Sequence, residues 1–259
     1  MKNLLCDNGS LVVPLVMHKI VRDGRRCAFE DISISLFKRI LEFIKMRGIL
    51  LDTAPSVVEC LPISYYLTFD DGNSSDADIA LPLLLEMNCS ATFFLIADKI
   101  NTPNFISYSQ ARELVNSGMA LGSHSVTHRD MRMLTSLQQR EELLSSKMRI
   151  EDKVGYSVKY FSFPYGKFNS ELVQMALNCG YEKVCTSRHG IVQFPCAVLP
   201  RNSINGAMSW GAVRRVLEAG NLIRYQWIAE DAIKHSLMRM VGDDTYRLLR
   251  NVITGIGKF

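Results

Sequence analysis

The chain lacks a C-x-x-C pair among its seven cysteines, which excludes a structural zinc knuckle. Cys6, Cys27, Cys60, Cys89, Cys179, Cys185 and Cys196 are odd in number and irregularly spaced. That pattern fits scattered core thiols in a reducing compartment. No window approaches the roughly 18 uninterrupted apolar residues of a membrane span. There is no Lys/Arg-rich run and no interleaving of aromatic and basic residues. A net charge of +4 and a pI of about 8.6 therefore imply no nucleic-acid partner. The opening MKNLLCDNGSLVVPLVMHKIV is a poor export signal, because Asp7 and Asn8 interrupt it and no small-residue cleavage site follows. A cytoplasmic location is the expectation. Internal repeats and low-complexity segments are also missing.

What is present is ordinary globular material: 259 residues, 47% hydrophobic and 22% charged, enough for one large domain or two small ones. Short β-rich apolar runs alternate with amphipathic helical segments. Strands are expected at Leu11–Met17, Ile63–Leu67, Ala91–Ile96, Met119–Gly122, Tyr160–Phe163 and Glu182–Thr186. Helices are expected at Phe37–Met46, Ala80–Met87, Ser109–Ser117 and Ser170–Asn178, with a long one from the capping box Thr135–Gln138 to about Val154. This alternation predicts a parallel α/β sheet, open or closed into a barrel, with chemistry at the carboxyl ends of its strands. From about Trp210 onward only helix signals remain, so the chain divides into 1–208 and a helical extension, 209–259.

Three stretches carry chemistry. In ISYYLTFDDG, two adjacent carboxylates, Asp70 and Asp71, end an apolar strand. Taken alone, Asp-Gly is a common turn, but a pair of buried like charges is costly without a task. For both to serve one site, the backbone must turn there, which Gly72 permits. In SHSVTH, His124 and His128 stand four apart. On a helical turn their Cβ atoms would lie about 5–6 Å apart, close enough to share a metal. The zincin motif has the same spacing but places its general base directly after the first His, where this chain has Ser125. The Asp pair is then the source of carboxylate. One Asp can bind a metal while the other takes a proton from water. In FSFPYG, Pro164 and Gly166 around Tyr165 mark a sharp turn that can aim a backbone N–H at an oxyanion.

TFDDG, HSVTH and FPYG in this order resemble the motifs of the polysaccharide deacetylase family (carbohydrate esterase family 4), over roughly Val13 to Ile204. The opening VPLVMHKIV also resembles the P-x-L-x-Y-H strand of one subgroup. The resemblance implies a distorted (β/α) barrel, a divalent metal (zinc), and hydrolysis of an N-acetyl group on an amino sugar. It assigns Asp71, His124 and His128 to the metal and Asp70 to the role of base. The Pro164–Tyr165 turn would serve the oxyanion. Where the family's third motif begins with an Arg that holds the base carboxylate, this chain has Ser162, and the family's fourth motif and C-terminal Leu-x-His have no clear match. Arg201, in VLPRNSI, is the candidate to replace that Arg or to meet the substrate; a solvated loop Arg is the alternative. Of the remaining histidines, His18 is the first candidate for the acid that protonates the leaving amine and His189 the second. His235, in the tail, is set aside.

Deacetylation of a sugar precursor, cleavage of a different amide by the same fold, and a silent carbohydrate-binding module all remain open at this point. Without an export signal, the expected substrate is a nucleotide- or lipid-linked sugar on the cytoplasmic side. Segment 210–259 holds eight Lys or Arg against five acids. Through it run Leu222, Ile223, Trp227, Ile228, Ile233, Leu237, Met238 and Met240 at roughly helical spacing. Helices packed on the barrel are the simpler expectation, and peripheral contact with anionic lipid at the inner membrane face is the sharper one.

Overall fold

The computed structural model describes residues 11–24, 28–47, 49–50, 63–192 and 196–220, with isolated positions between 223 and 245. Strand β1 (Leu11–Met17) is followed by short strands β2 (Ile20–Val21) and β3 (Ile32–Ser33) and helix α1 (Ile34–Arg47). Strands β4 (Ile49–Leu50) and β5 (Ile63–Phe69), helix α2 (Leu81–Glu86) and strand β6 (Thr92–Leu95) come next. Helix α3 (Tyr108–Asn116), strand β7 (Ala120–Ser123), helix α4 (Ser136–Val154) and strand β8 (Tyr160–Ser162) continue the alternation. The described part closes with α5 (Ser170–Asn178), β9 (Lys183–Cys185), β10 (Val198–Leu199), β11 (Asn202–Ser203) and α6 (Trp210–Glu218).

The helices follow their apolar spacing. Helix α1 buries Phe37, Ile40, Leu41 and Ile44, a single stripe at helical period. The capping box ahead of α4 is real: Thr135 and Gln138 each receive the other's backbone N–H, and Gly155 at φ 74° ends the helix. A π-helical turn, Asp76–Ala80, leads into α2.

All pairings of the main sheet are parallel, in the order β10-β9-β8-β7-β6-β5-β1-β11, with β4 also on β5. Its two edge strands, β10 and β11, are separated by only Pro200 and Arg201, so chain continuity brings the edges together and the sheet curls into a distorted barrel. Strand alternation divides the apolar residues between two layers. Val13, Leu15, Tyr65, Leu67, Phe69, Phe93 and Leu95 face the helices, while Val12, Tyr66, Phe94, Ala120 and Cys185 fill the barrel interior. Gly122 is required by that interior, since a Cβ there would lie 2.3 Å from Cδ1 of Phe94.

In the tail, Ile223 and Trp227 are buried in the protein, whereas Met240 is exposed. The side chains of the other apolar tail residues lie outside the described residues, as does His235. No helix among the described residues is long and apolar enough to cross a membrane.

Candidate active site

Parallel strands deliver their carboxyl ends to one rim, and the motif residues leave from there. Strands β1 and β5 pair in register from Leu11–Ile63 to Met17–Phe69, so His18 and Asp70 exit side by side, and the Asp70 N–H donates to the Met17 carbonyl at 3.0 Å. Alternation places Tyr66, Thr68 and Asp70 on the inner face of β5. Asp71 would then point outward. It does not, because Asp71 takes φ 81° and Gly72 φ 72°, which turns the chain over the barrel mouth. A Cβ at Gly72 would also meet Leu95 Cδ2 at 2.9 Å.

Asp71 Oδ1 lies 3.6 Å from His124 Nε2 and 3.5 Å from His128 Nε2, and the two Nε2 atoms are 3.2 Å apart. Ligands about 2.0–2.2 Å from a tetrahedral cation sit about 3.3–3.6 Å from one another, so the triangle has the size of a metal's ligand edge. These three form the one such cluster among the described residues. His124 Nδ1–H donates to the Ser162 carbonyl at 2.8 Å, which leaves Nε2 as the lone-pair nitrogen facing the cluster. Burial and the neighbouring His124 push the His128 imidazole down to about 4, favouring the neutral form that a ligand needs. The donor set therefore fits a divalent cation.

The histidine pair is not on a helical turn, contrary to the expectation from its spacing. Residues 124–128 form a loop after β7, with Ser125 at φ 69° and His128 at φ 60°. The loop is held from below by α4. The buried Glu142 carboxylate accepts from the backbone N–H groups of Val126 and Thr127 at 2.8 and 2.9 Å. Ser123 Oγ meets Ser146 Oγ at 2.7 Å, one helical turn further on. Glu142 and Ser146 escaped the reading of the sequence; the signal was two polar residues within the buried stripe of Leu143, Ile150 and Val154.

Arg201 is fully buried and so is neither a solvated loop residue nor a group that meets substrate. Its Nη1 and Nη2 donate to Asp70 Oδ1 and Oδ2, both at 2.7 Å, a bidentate clamp. Nη1 also reaches Thr68 Oγ1 at 3.0 Å, Nη2 reaches Ser162 Oγ at 2.7 Å, and Nε donates to the Thr186 carbonyl at 3.2 Å. Ser162 Oγ in turn donates to Asp70 Oδ2 at 3.0 Å. The guanidinium missing from the third motif thus arrives from the strand junction that closes the barrel, through space left by a small serine. Burial alone would raise the Asp70 carboxyl, but Arg201 and then His124 hold it well below the usual carboxylate range. Asp70 Oδ2 lies 3.9 Å from His124 Nε2, an ionised carboxylate beside the ligand triangle.

His18 is half-buried beside Asp70, and its Nδ1 is a buried atom with no hydrogen-bond partner. Pro164–Gly166 forms a tight turn with Tyr165 at φ 57°, and the Tyr165 ring lies 4.5 Å from that of His128. His189 stacks on Trp227 with ring centroids 6.0 Å apart.

The parallel barrel thus sets a two-His, one-Asp cluster able to hold a metal ion beside a clamped second Asp. Residues 61–184 match the model of the polysaccharide deacetylase family. A bifunctional xylanase/deacetylase of Pseudobutyrivibrio xylanivorans is 38% identical over 108 residues, 42% of this chain and 17% of that protein. The peptidoglycan-N-acetylglucosamine deacetylase PgdA of Listeria monocytogenes is 31% identical over 110 residues, 42% of this chain and 22% of that one. The chain spans about half or less of the length of the curated relatives it matches. The Streptococcus pyogenes deacetylase PplD, solved in complex with acetate, shares the fold with a TM-score of 0.73 at 20% identity, over 81% of this chain and 99% of that one. The match to the polysaccharide deacetylase family model thus takes in strands β5 to β9 and the three motifs, a little under half of the chain.

Proposed function

We propose that the protein is a metal-dependent hydrolase that removes the acetyl group from the nitrogen of an amino sugar in a glycan or glycan precursor, with zinc as its metal. The observation that carries this reading is the ligand triangle of 3.2–3.6 Å with the clamped Asp70 at its side. Asp71, His124 and His128 would hold the cation, which supplies the Lewis acidity that makes water nucleophilic near neutral pH. Asp70 accepts the proton of the attacking water, and Arg201 keeps its carboxylate ionised and correctly aimed. The Tyr165 backbone N–H would serve the oxygen on which charge develops. His18 protonates the departing nitrogen. The basic segment 210–259 supports a substrate carrying anionic linkage, such as a lipid- or nucleotide-linked sugar at the cytoplasmic face of a membrane.

The test couples metal analysis of the purified protein to acetate release. Substrates are N-acetylglucosamine oligomers and a non-sugar N-acetyl amide, before chelation, after it, and after zinc is restored. Zinc-dependent acetate release from the sugar alone is expected. Release from the non-sugar amide alone would move the activity to another substrate class. Bound metal with no release from either would reduce the chain to a binding module.

A further inference from the structure

Two residues with left-handed backbone conformations face each other at the barrel mouth. They are His128 at φ 60° and Tyr165 at φ 57°, with ring centroids 4.5 Å apart. For residues other than glycine this conformation is strained, and it persists where the surroundings over-determine it. One residue carries a metal-ligand side chain, and the other carries the N–H assigned to the oxyanion. They sit on loops that leave different strands, 124–128 after β7 and 164–166 after β8. Strand pairing sets where these loops start, not how far apart their tips stand.

A charged strap joins the two loops, two residues past each strained position. Lys167 Nζ lies 3.0 Å from Asp130 Oδ2, and the two side chains are only 15% and 16% exposed. An exposed ion pair contributes little, whereas one shielded to this degree is screened far less by water and salt. The Asp130 carboxylate is held ready for its partner by Arg132. That residue donates to Oδ1 from Nε at 3.1 Å and from its backbone N–H at 3.2 Å, and to Oδ2 from Nη2 at 2.9 Å. The far sides of both loops are fixed as well. Glu142 holds Val126 and Thr127, and the His128 N–H donates to Ser125 Oγ at 3.0 Å. On the other loop, a Cβ at Gly166 would lie 2.3 Å from Ser187 Cβ, so that turn is pressed against its outer neighbour. Between two anchored loops, the Asp130–Lys167 pair sets the gap.

We propose that Asp130 is a positioning residue. Through Lys167 it fixes the Tyr165 turn against the His128 loop, and so sets the Tyr165 N–H at its working distance from the metal site. Asp130 is not part of the ligand cluster and acts only through its partners. The proposal rests on the deacetylase reading for its kinetic consequence. A slightly misplaced donor still lets substrate bind, because the carbonyl oxygen gains its charge only in the transition state. The loss therefore falls on kcat.

The test uses the full zinc-loaded chain with Asp130→Asn, Lys167→Met, both together, or Lys167→Arg. Asparagine at 130 keeps an oxygen for the Arg132 N–H, so it removes the charge with least damage to the loop. On an N-acetylglucosamine oligomer each of the first two should lower kcat about 10–100-fold, against about 10²–10³-fold for losing an oxyanion donor outright. KM should change less than about threefold. The double variant should lose no more than either single one, since both remove the same interaction. Lys167→Arg, which keeps the charge and the reach, should recover most of kcat. Zinc content should stay at the wild-type level throughout. An unchanged kcat, a loss carried by KM, losses that multiply in the double variant, or loss of zinc would overturn the proposal. The Tyr165 backbone amide in 1H–15N spectra supplies a readout independent of turnover. Its signal should shift and exchange faster with solvent in Asp130→Asn and Lys167→Met, and return toward wild type in Lys167→Arg. An unchanged signal in the first two would refute the strap, even if the wild-type protein hydrolysed no sugar amide. A changed signal alongside an inactive wild type would uphold the strap and sink the deacetylase reading instead.

Discussion

Replacing Arg201 by Met, which keeps most of the apolar stem, leaves the Asp70 carboxylate buried without its counter-charge. Arg201 is fully buried, so water cannot enter to screen or replace the pair. Two charge-assisted bonds of 2.7 Å to Asp70 disappear, with further ones to Thr68, Ser162 and Thr186. Breaking one side of a buried ion pair costs about 3–5 kcal/mol, a large share of the roughly 5–15 kcal/mol that holds a domain together. The sign with pH follows from Asp70. In the wild type its folded value is depressed below the unfolded value near 3.9, so its contribution is present above that pH and fades as pH falls through the folded value. In Arg201→Met, burial acts without the guanidinium and raises the folded value, so acid relieves the penalty. Urea unfolding at several pH values should therefore show the gap between variant and wild type widest near pH 7 and narrowing on acidification. Arg201→Lys should fall between the two, since an ammonium cannot reproduce the bidentate fork. A loss below about 1 kcal/mol at pH 7, or a gap that widens in acid, would refute the account.

Asp71→Ala or His128→Ala should reduce zinc content to background by mass spectrometry with little change in the far-UV spectrum; full zinc occupancy in either would unseat that ligand. Asp70→Asn should keep its zinc but lose about 10²–10⁴-fold in turnover, and near-normal turnover would place the base elsewhere. Gly122→Ala should cost about 1–3 kcal/mol, read as a lowered Tm, because its Cβ collides with Phe94; an unchanged Tm would mean that the interior yields more readily than its packing implies. Co-sedimentation with anionic and neutral vesicles at low and high salt tests the tail. Salt-sensitive binding to anionic vesicles that vanishes on deleting residues 209–259 would support lipid contact, and absence of binding would leave the tail as packing, as the buried Ile223 and Trp227 suggest.

The sequence by itself determined the strand–helix alternation, the capping box of α4 and the three motifs, because these are local. Periodicity, caps and short spacings act within one or two turns of chain. It also marked where the backbone must turn, at Asp71-Gly72 and at Pro164-Tyr165-Gly166. It could not show that Ser125 and His128 adopt left-handed backbone conformations, since nothing in those residue types demands it, and the spacing alone predicts a helical turn where the structure has a loop. Tertiary structure alone decided the rest. Barrel closure carries Arg201 across 131 positions of sequence to Asp70, and α4 brings Glu142 under the histidine loop. Parallel register sets His18 beside Asp70. Each of these is a contact between groups distant in sequence, and its worth depends on burial: in water the Arg201–Asp70 pair would contribute little, while inside a closed barrel it fixes the charge, the direction and the pKa of one carboxylate.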